Sequence, residues 1–285
     1  MTRKLKVAVV GLGVGQTHIS RGYLPNPERF EVAAICDGKI IDENQHLERL
    51  KRSLKELRIC IPMKEQPLKA IFREIVRRNR INNGILYLQI TRGVAKRDHP
   101  FPKEETKPGL VLTARSTVRP KIDDQEKGIQ VVTTSDIRWS RRDIKSISLL
   151  PNILAKQTAR EKGVYEAWFV DKNGLITEGS STNAWIVDGN RAVITRELGH
   201  DILGGITRDT VILLANQNGI TISERPFSID EALKASEAFI TSTTSFVTSV
   251  VGINQTRIGN GKPGPVTKQL RNLYLNYCYN LGSNQ

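Results

Sequence analysis

The stretch Arg138-Trp139-Ser140-Arg141-Arg142-Asp143-Ile144-Lys145-Ser146 decides the fold, together with Thr177-Glu178-Gly179-Ser180-Ser181-Thr182-Asn183. Two shorter stretches follow, Gly204-Gly205-Ile206-Thr207-Arg208-Asp209 and Thr241-Ser242-Thr243-Thr244-Ser245. They supply one amine, one carboxylate and two loops rich in hydroxyl groups and backbone amides. This set suits a phosphorylated aldehyde cofactor, which needs a Schiff-base lysine, an acid for its ring nitrogen and donors for its phosphate.

At these residues the chain resembles the fold type IV aminotransferases, and within them it looks most like the D-amino acid enzymes. The four motifs occur in the family's order and spacing, and the resemblance covers roughly residues 38–275. It implies an α/β (α+β) protein of two domains that binds pyridoxal 5'-phosphate. It also implies a homodimer whose site lies between the domains.

The resemblance assigns cofactor roles to individual residues. Lys145 would form the Schiff base and shuttle the α-proton, and Glu178 would pair with the protonated pyridine nitrogen. Arg49, in the segment His46-Leu47-Glu48-Arg49-Leu50, matches the family's phosphate arginine, and a guanidinium suits a bidentate phosphate contact. The remaining cofactor-binding candidates are Ser180, Ser181, Ile206, Thr207, Ser242 and Thr243. No metal site is predicted.

Substrate choice depends on the segment 91–99. The D-amino acid enzymes carry an Arg-x-His pair here that binds the substrate α-carboxylate, and Arg97 and His99 stand in register with it. Phe30, Leu203 and Thr244 complete the predicted substrate contacts. Phe30 replaces a tyrosine of the family, which removes one hydroxyl from the cofactor face.

The predicted reaction is the transamination of D-amino acids, in which D-alanine and 2-oxoglutarate give pyruvate and D-glutamate. A branched-chain L-amino acid aminotransferase or an aminodeoxychorismate lyase is the alternative within the same fold. An inactive or NAD-binding fusion protein is the alternative from another class.

The last alternative comes from the N-terminus. Residues 3–10 are predicted as a buried strand, Gly11-Leu12-Gly13-Val14-Gly15 follows, and a second strand ends near Asp37. This Rossmann-like βαβ pattern resembles the start of NAD(P) dehydrogenases of the glucose-fructose oxidoreductase type. No second βαβ unit follows, so we expect no dinucleotide crevice. We expect these strands to join the sheet formed by residues 85–113.

The bulk composition narrows the function further. The net charge is +14, but the basic residues alternate with apolar ones on predicted helices, which favours a solvated face over nucleic-acid binding. We therefore expect no nucleic-acid partner, and the partners that the resemblance implies are small amino acids and 2-oxo acids. No apolar run is long enough to span a membrane, and three widely spaced cysteines fit the reducing cytoplasm.

The predicted domains are an atypical segment 1–37, a small α/β domain 38–118, a linker 119–128 and a large cofactor-binding domain 129–285. Hydrophobic periodicity predicts helices near 46–54, 67–80, 152–162, 209–217, 230–235 and 266–277. Strands are predicted at 85–91, 110–113, 166–170 and 184–188.

Overall fold

The computed structural model of the chain describes residues 29–102, 106–117 and 126–283. These residues form two compact units. Residues 29–102 and 106–117, together with 145–147, make the first unit, and residues 126–144 and 148–283 make the second. The predicted strand 3–10 and the glycine-rich segment after it lie outside the described residues.

In the described part of the first unit, one antiparallel sheet has the strand order β2-β1-β3-β4. The strands are β1 (Arg29–Cys36), β2 (Lys39–Ile40), β3 (Gly84–Thr91) and β4 (Gly109–Ser116). The predicted strand that ends near Asp37 is confirmed as β1, which pairs with β3 along most of its length. The expected addition of N-terminal residues to this sheet therefore holds for β1.

Two amphipathic helices cover one face of this sheet. Helix α1 spans Glu43–Glu56 and helix α2 spans Glu65–Arg78. Their apolar side chains recur at helical spacing and pack against alternate residues of β3 and β4. The core contains Leu47, Leu50, Leu54, Leu68, Phe72, Ile75, Val76, Leu86, Leu88, Ile90 and Leu112.

A larger mixed sheet forms the second unit. Within the described residues its strand order is β10-β9-β8-β12-β13-β5-β6-β7-β11, and β14 pairs with β13. The strands are β5 (Ile129–Ser135), β6 (Glu166–Val170), β7 (Leu175–Gly179), β8 (Asn183–Val187), β9 (Val193–Thr195), β10 (Ile222–Glu224), β11 (Phe227–Ser228), β12 (Glu237–Ser242), β13 (Phe246–Ile253) and β14 (Thr256–Arg257). The sequences of several central strands are continuous apolar runs because both faces of these strands are buried.

Four helices accompany this sheet in the described residues: α3 (Leu150–Glu161), α4 (Ile206–Gln217), α5 (Ile229–Lys234) and α6 (Pro265–Ser283). Helix α6 packs along β13, with Leu270 and Tyr274 buried. Trp168, Ile176, Ile186, Phe227, Ile240 and Ile253 are among the core residues.

Several boundaries differ from the sequence prediction, and two of them have a clear physical reason. The helix predicted from Asp209 begins at Ile206, because Ile206, Thr207 and Arg208 are all buried and packing extends the first turn. The strand predicted over 110–113 runs from Gly109 to Ser116, because its pairing with β3 continues as far as the Gly84–Ser116 pair. The predicted domain boundaries stay predictions.

Candidate active site

Glu178 is a buried carboxylate close to the end of β7, with only 7% of its side chain exposed. Arg138 Nη1 lies 2.5 Å from Glu178 Oε1, and the backbone amide of Leu203 lies 3.1 Å from Oε2. The side-chain amide of Asn183 donates to Oε2 at 3.3 Å. Three donors, two of them from distant parts of the chain, therefore hold this carboxylate in one orientation.

Arg138 is bound from its other side by Asp136. The guanidinium donates from Nε to Asp136 Oδ1 at 2.9 Å and from Nη2 to Oδ2 at 2.8 Å. Thr177 Oγ1 donates to the same carboxylate at 2.9 Å, and the guanidinium carbon lies 4.2 Å from the ring centre of Phe169. Arg138 is thus fixed in a bidentate contact, which is among the strongest that a guanidinium makes.

The Glu178–Arg138 pair belongs to a longer chain of alternating charges. Arg142 lies 3.5 Å from Asp136 and 2.8 Å from Asp201. Arg196 lies 2.8 Å from Asp201 and 3.3 Å from Asp171. Among the described residues this chain therefore comprises four carboxylates (Asp136, Asp171, Asp201, Glu178) and three guanidinium groups (Arg138, Arg142, Arg196), so full ionisation leaves an excess of one negative charge.

Burial and charge act differently on the two carboxyls beside Arg138. Burial raises the pKa of Glu178, and the opposing attraction of Arg138 does not outweigh it. Burial also acts to raise the pKa of Asp136, but hydrogen bonding and attraction by Arg138 lower it. Of the two carboxyls beside Arg138, Glu178 is consequently the one that would gain more from a further cationic or N–H partner.

The first turn of α4 presents backbone amides without a side-chain cap. Gly205 occupies the N-cap position in an extended conformation, and no side chain accepts from the first turn there. A Cβ atom on Gly205 would lie 2.1 Å from Asn183 Oδ1, so any larger residue at this position would displace the Asn183 side chain. Ile206 and Thr207, both predicted cofactor residues, are the first two residues of this helix and are buried.

The predicted hydroxyl loop connects β12 and β13. Ser242 Oγ accepts from the backbone amides of Ser245 at 3.0 Å and Thr244 at 3.3 Å, and lies 2.6 Å from Ser245 Oγ. Thr244 is exposed and Thr243 is half-buried. Ser242 therefore closes the turn itself, while the two threonines lie on its surface.

Ser180 and Ser181 form the turn between β7 and β8, and both hydroxyls donate to Glu166. In the first unit, Arg49 is half-buried with Nη2 3.5 Å from His46 Nδ1, while Arg97 and His99 are both exposed. Lys145 is half-buried. Phe30 lies in β1 as the register partner of Gln89.

Of the predicted residues, the structure joins Glu178 to Leu203 directly and groups Ser180 with Ser181 around Glu166. It also shows contacts of Glu178 and Arg138 that the sequence analysis missed, from Asp136, Asn183 and Asp201. The only local signal was Asp136 two positions before Arg138. The arginines near Lys145 in the sequence are each paired: Arg138 with Asp136 and Glu178, Arg141 with Asp143, and Arg142 with Asp201.

The sequence profile of class IV aminotransferases matches residues 28–253. The chain is 38% identical over 258 residues to the D-alanine aminotransferase of Staphylococcus haemolyticus, covering 90% of each protein. It is also 38% identical over 261 residues to the D-alanine aminotransferase of Bacillus licheniformis, covering 90% of this chain and 89% of the relative. The chain therefore belongs to the class IV aminotransferase family.

Solved structures agree with this assignment. The branched-chain amino acid aminotransferase of Escherichia coli superposes with a TM-score of 0.82 at 25% identity, over 88% of this chain and 85% of that one. The T.th. branched-chain amino acid aminotransferase, solved with pyridoxamine 5'-phosphate, gives a TM-score of 0.81 at 28% identity over 88% and 85%. The predicted α/β fold of the fold type IV aminotransferases is thereby confirmed. No helix in the described ranges is long and apolar enough to cross a lipid bilayer.

Proposed function

We propose that this chain is a pyridoxal 5'-phosphate-dependent transaminase of D-amino acids. It converts D-alanine and 2-oxoglutarate into pyruvate and D-glutamate. The observation that carries the proposal is the buried Glu178 carboxylate, held by Arg138 and the Leu203 amide, in a chain 38% identical to D-alanine aminotransferases over 90% of its length.

The residues around Glu178 fit the cofactor's ring. A protonated pyridine nitrogen needs a carboxylate that stays ionised beside it, and Glu178 is buried with a raised pKa that such a partner would lower. The excess negative charge of the network matches the single positive charge of that nitrogen. When bound, the cofactor supplies an electron sink for the negative charge that develops at the substrate α-carbon.

The first turn of α4 fits the cofactor's phosphate. The amides of Ile206 and Thr207 stand at the positive end of the helix dipole, without a capping side chain to compete for them. Thr243 and Ser242 provide hydroxyls on the second loop, and Arg49 provides the cation. These donors suit a dianion because each contributes a hydrogen bond or a positive charge.

Lys145 has two tasks in this proposal. Its Nζ atom would hold the cofactor covalently and would carry the proton removed from the substrate α-carbon. A lysine suits both tasks because its amine is a nucleophile and a base when deprotonated. Arg97 and His99 bind the substrate carboxylate, and the exposure of both side chains leaves their polar atoms accessible to a ligand. Phe30, Leu203 and Thr244 complete the substrate contacts.

A branched-chain L-amino acid aminotransferase is the second candidate, favoured by the superposition with the Escherichia coli and T.th. enzymes. The lyase alternative has only a structural neighbour at 20% identity, which supports the shared fold alone. The NAD-binding alternative rests on residues outside the described part of the chain.

The deciding experiment offers purified protein, saturated with pyridoxal 5'-phosphate, either D-alanine or L-leucine with 2-oxoglutarate. We expect pyruvate and D-glutamate from D-alanine, with the glutamate enantiomer identified by chiral chromatography. Lys145→Ala serves as the inactive control, with circular dichroism to show that it is folded. Transamination of L-leucine but not of D-alanine would replace this proposal with the second candidate.

The assembly proposed is a homodimer in the cytoplasm. Three apolar side chains on α3 support the dimer, because Leu150, Ile153 and Leu154 are 67%, 59% and 51% exposed at helical spacing on one face. The cytoplasmic location is supported by the three widely spaced cysteines, which suit a reducing compartment.

A further inference from the structure

Glu166 is a buried carboxylate in an otherwise apolar strand, and the proposed function gives it no task. It begins β6, and none of its side chain is exposed. A buried charge is costly unless hydrogen bonds and opposite charges compensate it. The hydrogen-bond partners of Glu166 therefore indicate which part of the structure this carboxylate stabilises.

The partners come mainly from the turn that follows Glu178. Ser180 Oγ donates to Glu166 Oε1, and Ser181 Oγ donates to Oε2 at 2.9 Å. The amide of Ala167 donates to Oε1 at 2.8 Å, and Lys156 Nζ lies 3.4 Å from Oε2. Both carboxylate oxygens are thus bound, and each accepts one serine hydroxyl.

The backbone of the same turn is fixed as well. The Ser180 amide donates to Ala167 O at 2.9 Å, and Asn152 Nδ2 donates to Ser180 O at 2.8 Å. Gly179 packs directly on Glu166, since a Cβ atom there would lie 3.2 Å from Glu166 Cγ. Glu178 precedes this glycine, so the position of its backbone depends on the turn that Glu166 holds.

We infer that Glu166 is a positioning residue: by binding Ser180 and Ser181 it fixes the turn at 179–182 and thereby aims the Glu178 carboxylate at the ring nitrogen of the cofactor. The inference rests on the proposed role of Glu178. It also changes the expectation for the two serines. Each serine hydroxyl has one proton, and in this structure both protons are donated to Glu166. The two serines therefore stabilise the turn and do not donate to the cofactor's phosphate.

The test compares Glu166→Ala with Glu166→Gln in the full-length apoprotein. Glu166→Ala removes the hydrogen bonds to both serine hydroxyls, whereas the side-chain amide of Glu166→Gln can still accept from one serine and donate to the other. The probe is pyridoxamine 5'-phosphate, which needs no covalent bond to Lys145. Two quantities are measured below the melting temperature of every variant: the dissociation constant, and the pH at which the ring nitrogen of the bound probe loses its proton, followed by ultraviolet absorbance.

We expect Glu166→Ala to weaken probe binding by about tenfold and to shift ring-nitrogen deprotonation down by about one pH unit, because a displaced carboxylate stabilises the ring cation less. Glu166→Gln should recover most of both effects. Ser181→Ala, at an exposed position, should lower the pH of ring-nitrogen deprotonation by a smaller amount. If Glu166→Ala does not fold, Ser181→Ala is used in its place. Glu161→Ala on the exposed part of α3 is the matched control and should change neither quantity.

The inference would be overturned if Glu166→Ala and Ser181→Ala lowered the melting temperature but left the ring-nitrogen titration unchanged. Glu166 would then contribute to stability alone. Failure of the wild-type protein to bind the probe at all would instead overturn the proposed function, and the inference with it.

Discussion

Arg138 Nη1 lies 2.5 Å from Glu178 Oε1, and both side chains are almost completely buried. The same guanidinium binds Asp136 through two further hydrogen bonds, so one cation stands between two carboxylates. This arrangement fixes the orientation of Glu178 and does not fully neutralise it.

Glu178→Gln should reduce turnover of D-alanine by about 10- to 100-fold, because the variant replaces a charge-assisted hydrogen bond, worth about 1.5–3 kcal/mol, with a neutral one. The measurement is kcat with D-alanine and 2-oxoglutarate at saturating cofactor. Glu161→Gln makes the same carboxylate-to-amide replacement on the surface of α3 and is the control. Wild-type turnover in Glu178→Gln would contradict the role given to this carboxylate.

The stability of the apoprotein should depend on pH through Glu178. Burial raises its folded-state pKa above the ordinary value, so the native state binds the proton more tightly than the unfolded chain. That contribution to stability is present below the ordinary glutamate pKa of about 4.3 and is lost as pH rises through the raised value. The melting temperature of Glu178→Gln minus that of the wild type should therefore increase as the pH rises above about 4. A difference independent of pH would show that the carboxyl titrates normally.

Gly205→Ala should weaken binding of the cofactor by about tenfold, whereas Gly204→Ala should change it by less than about twofold. The new methyl group at position 205 would lie 2.1 Å from Asn183 Oδ1, but at position 204 its nearest neighbour is Leu198 Cδ2 at 3.6 Å. Displacing Asn183 removes its contacts to Glu178 and Leu203, each worth about 1 kcal/mol. Equal dissociation constants in the two variants would contradict this account.

Arg97→Ala and His99→Ala should each raise the Michaelis constant for D-alanine by about tenfold or more, because each removes a charge-assisted contact to the substrate carboxylate. The dissociation constant of the cofactor should stay within about twofold of the wild type. Steady-state kinetics and cofactor titration of the same preparations separate the two effects. A parallel loss of cofactor binding would assign these residues to the cofactor instead.

The double variant Ile153→Glu with Leu154→Lys should favour the monomer, because charges on the exposed face of α3 would have to be desolvated in a dimer. Sedimentation velocity should then show a species near the chain mass of 31.9 kDa. Glu161→Lys on the same helix is the control and should remain dimeric. An unchanged dimer in the double variant would place the interface elsewhere.

Much of the local structure could be predicted from the sequence. The helices α1 and α2 were predictable because Leu50, Leu54, Leu68 and Ile75 repeat at helical spacing, and all four are in the core. Strand β1 was predictable because Val32–Ile35 is a short apolar run soon followed by an acidic residue and a glycine. Boundaries were predicted less well where packing extends an element, as at Ile206 and Ser116.

The sequence alone determined the chemistry available to this protein, because an amine at Lys145, an acid at Glu178 and hydroxyl-rich turns are properties of residue type and order. Only the tertiary structure decided which charges meet. Arg138 binds Glu178 from 40 positions away, and Glu166 binds Ser180 from 14 positions away. Such pairings follow from the strand order of the large sheet, where β5, β6 and β7 are consecutive neighbours. The spacing of these residues along the chain does not determine that strand order. Which strands become neighbours depends on which faces of the sheet are buried in the core.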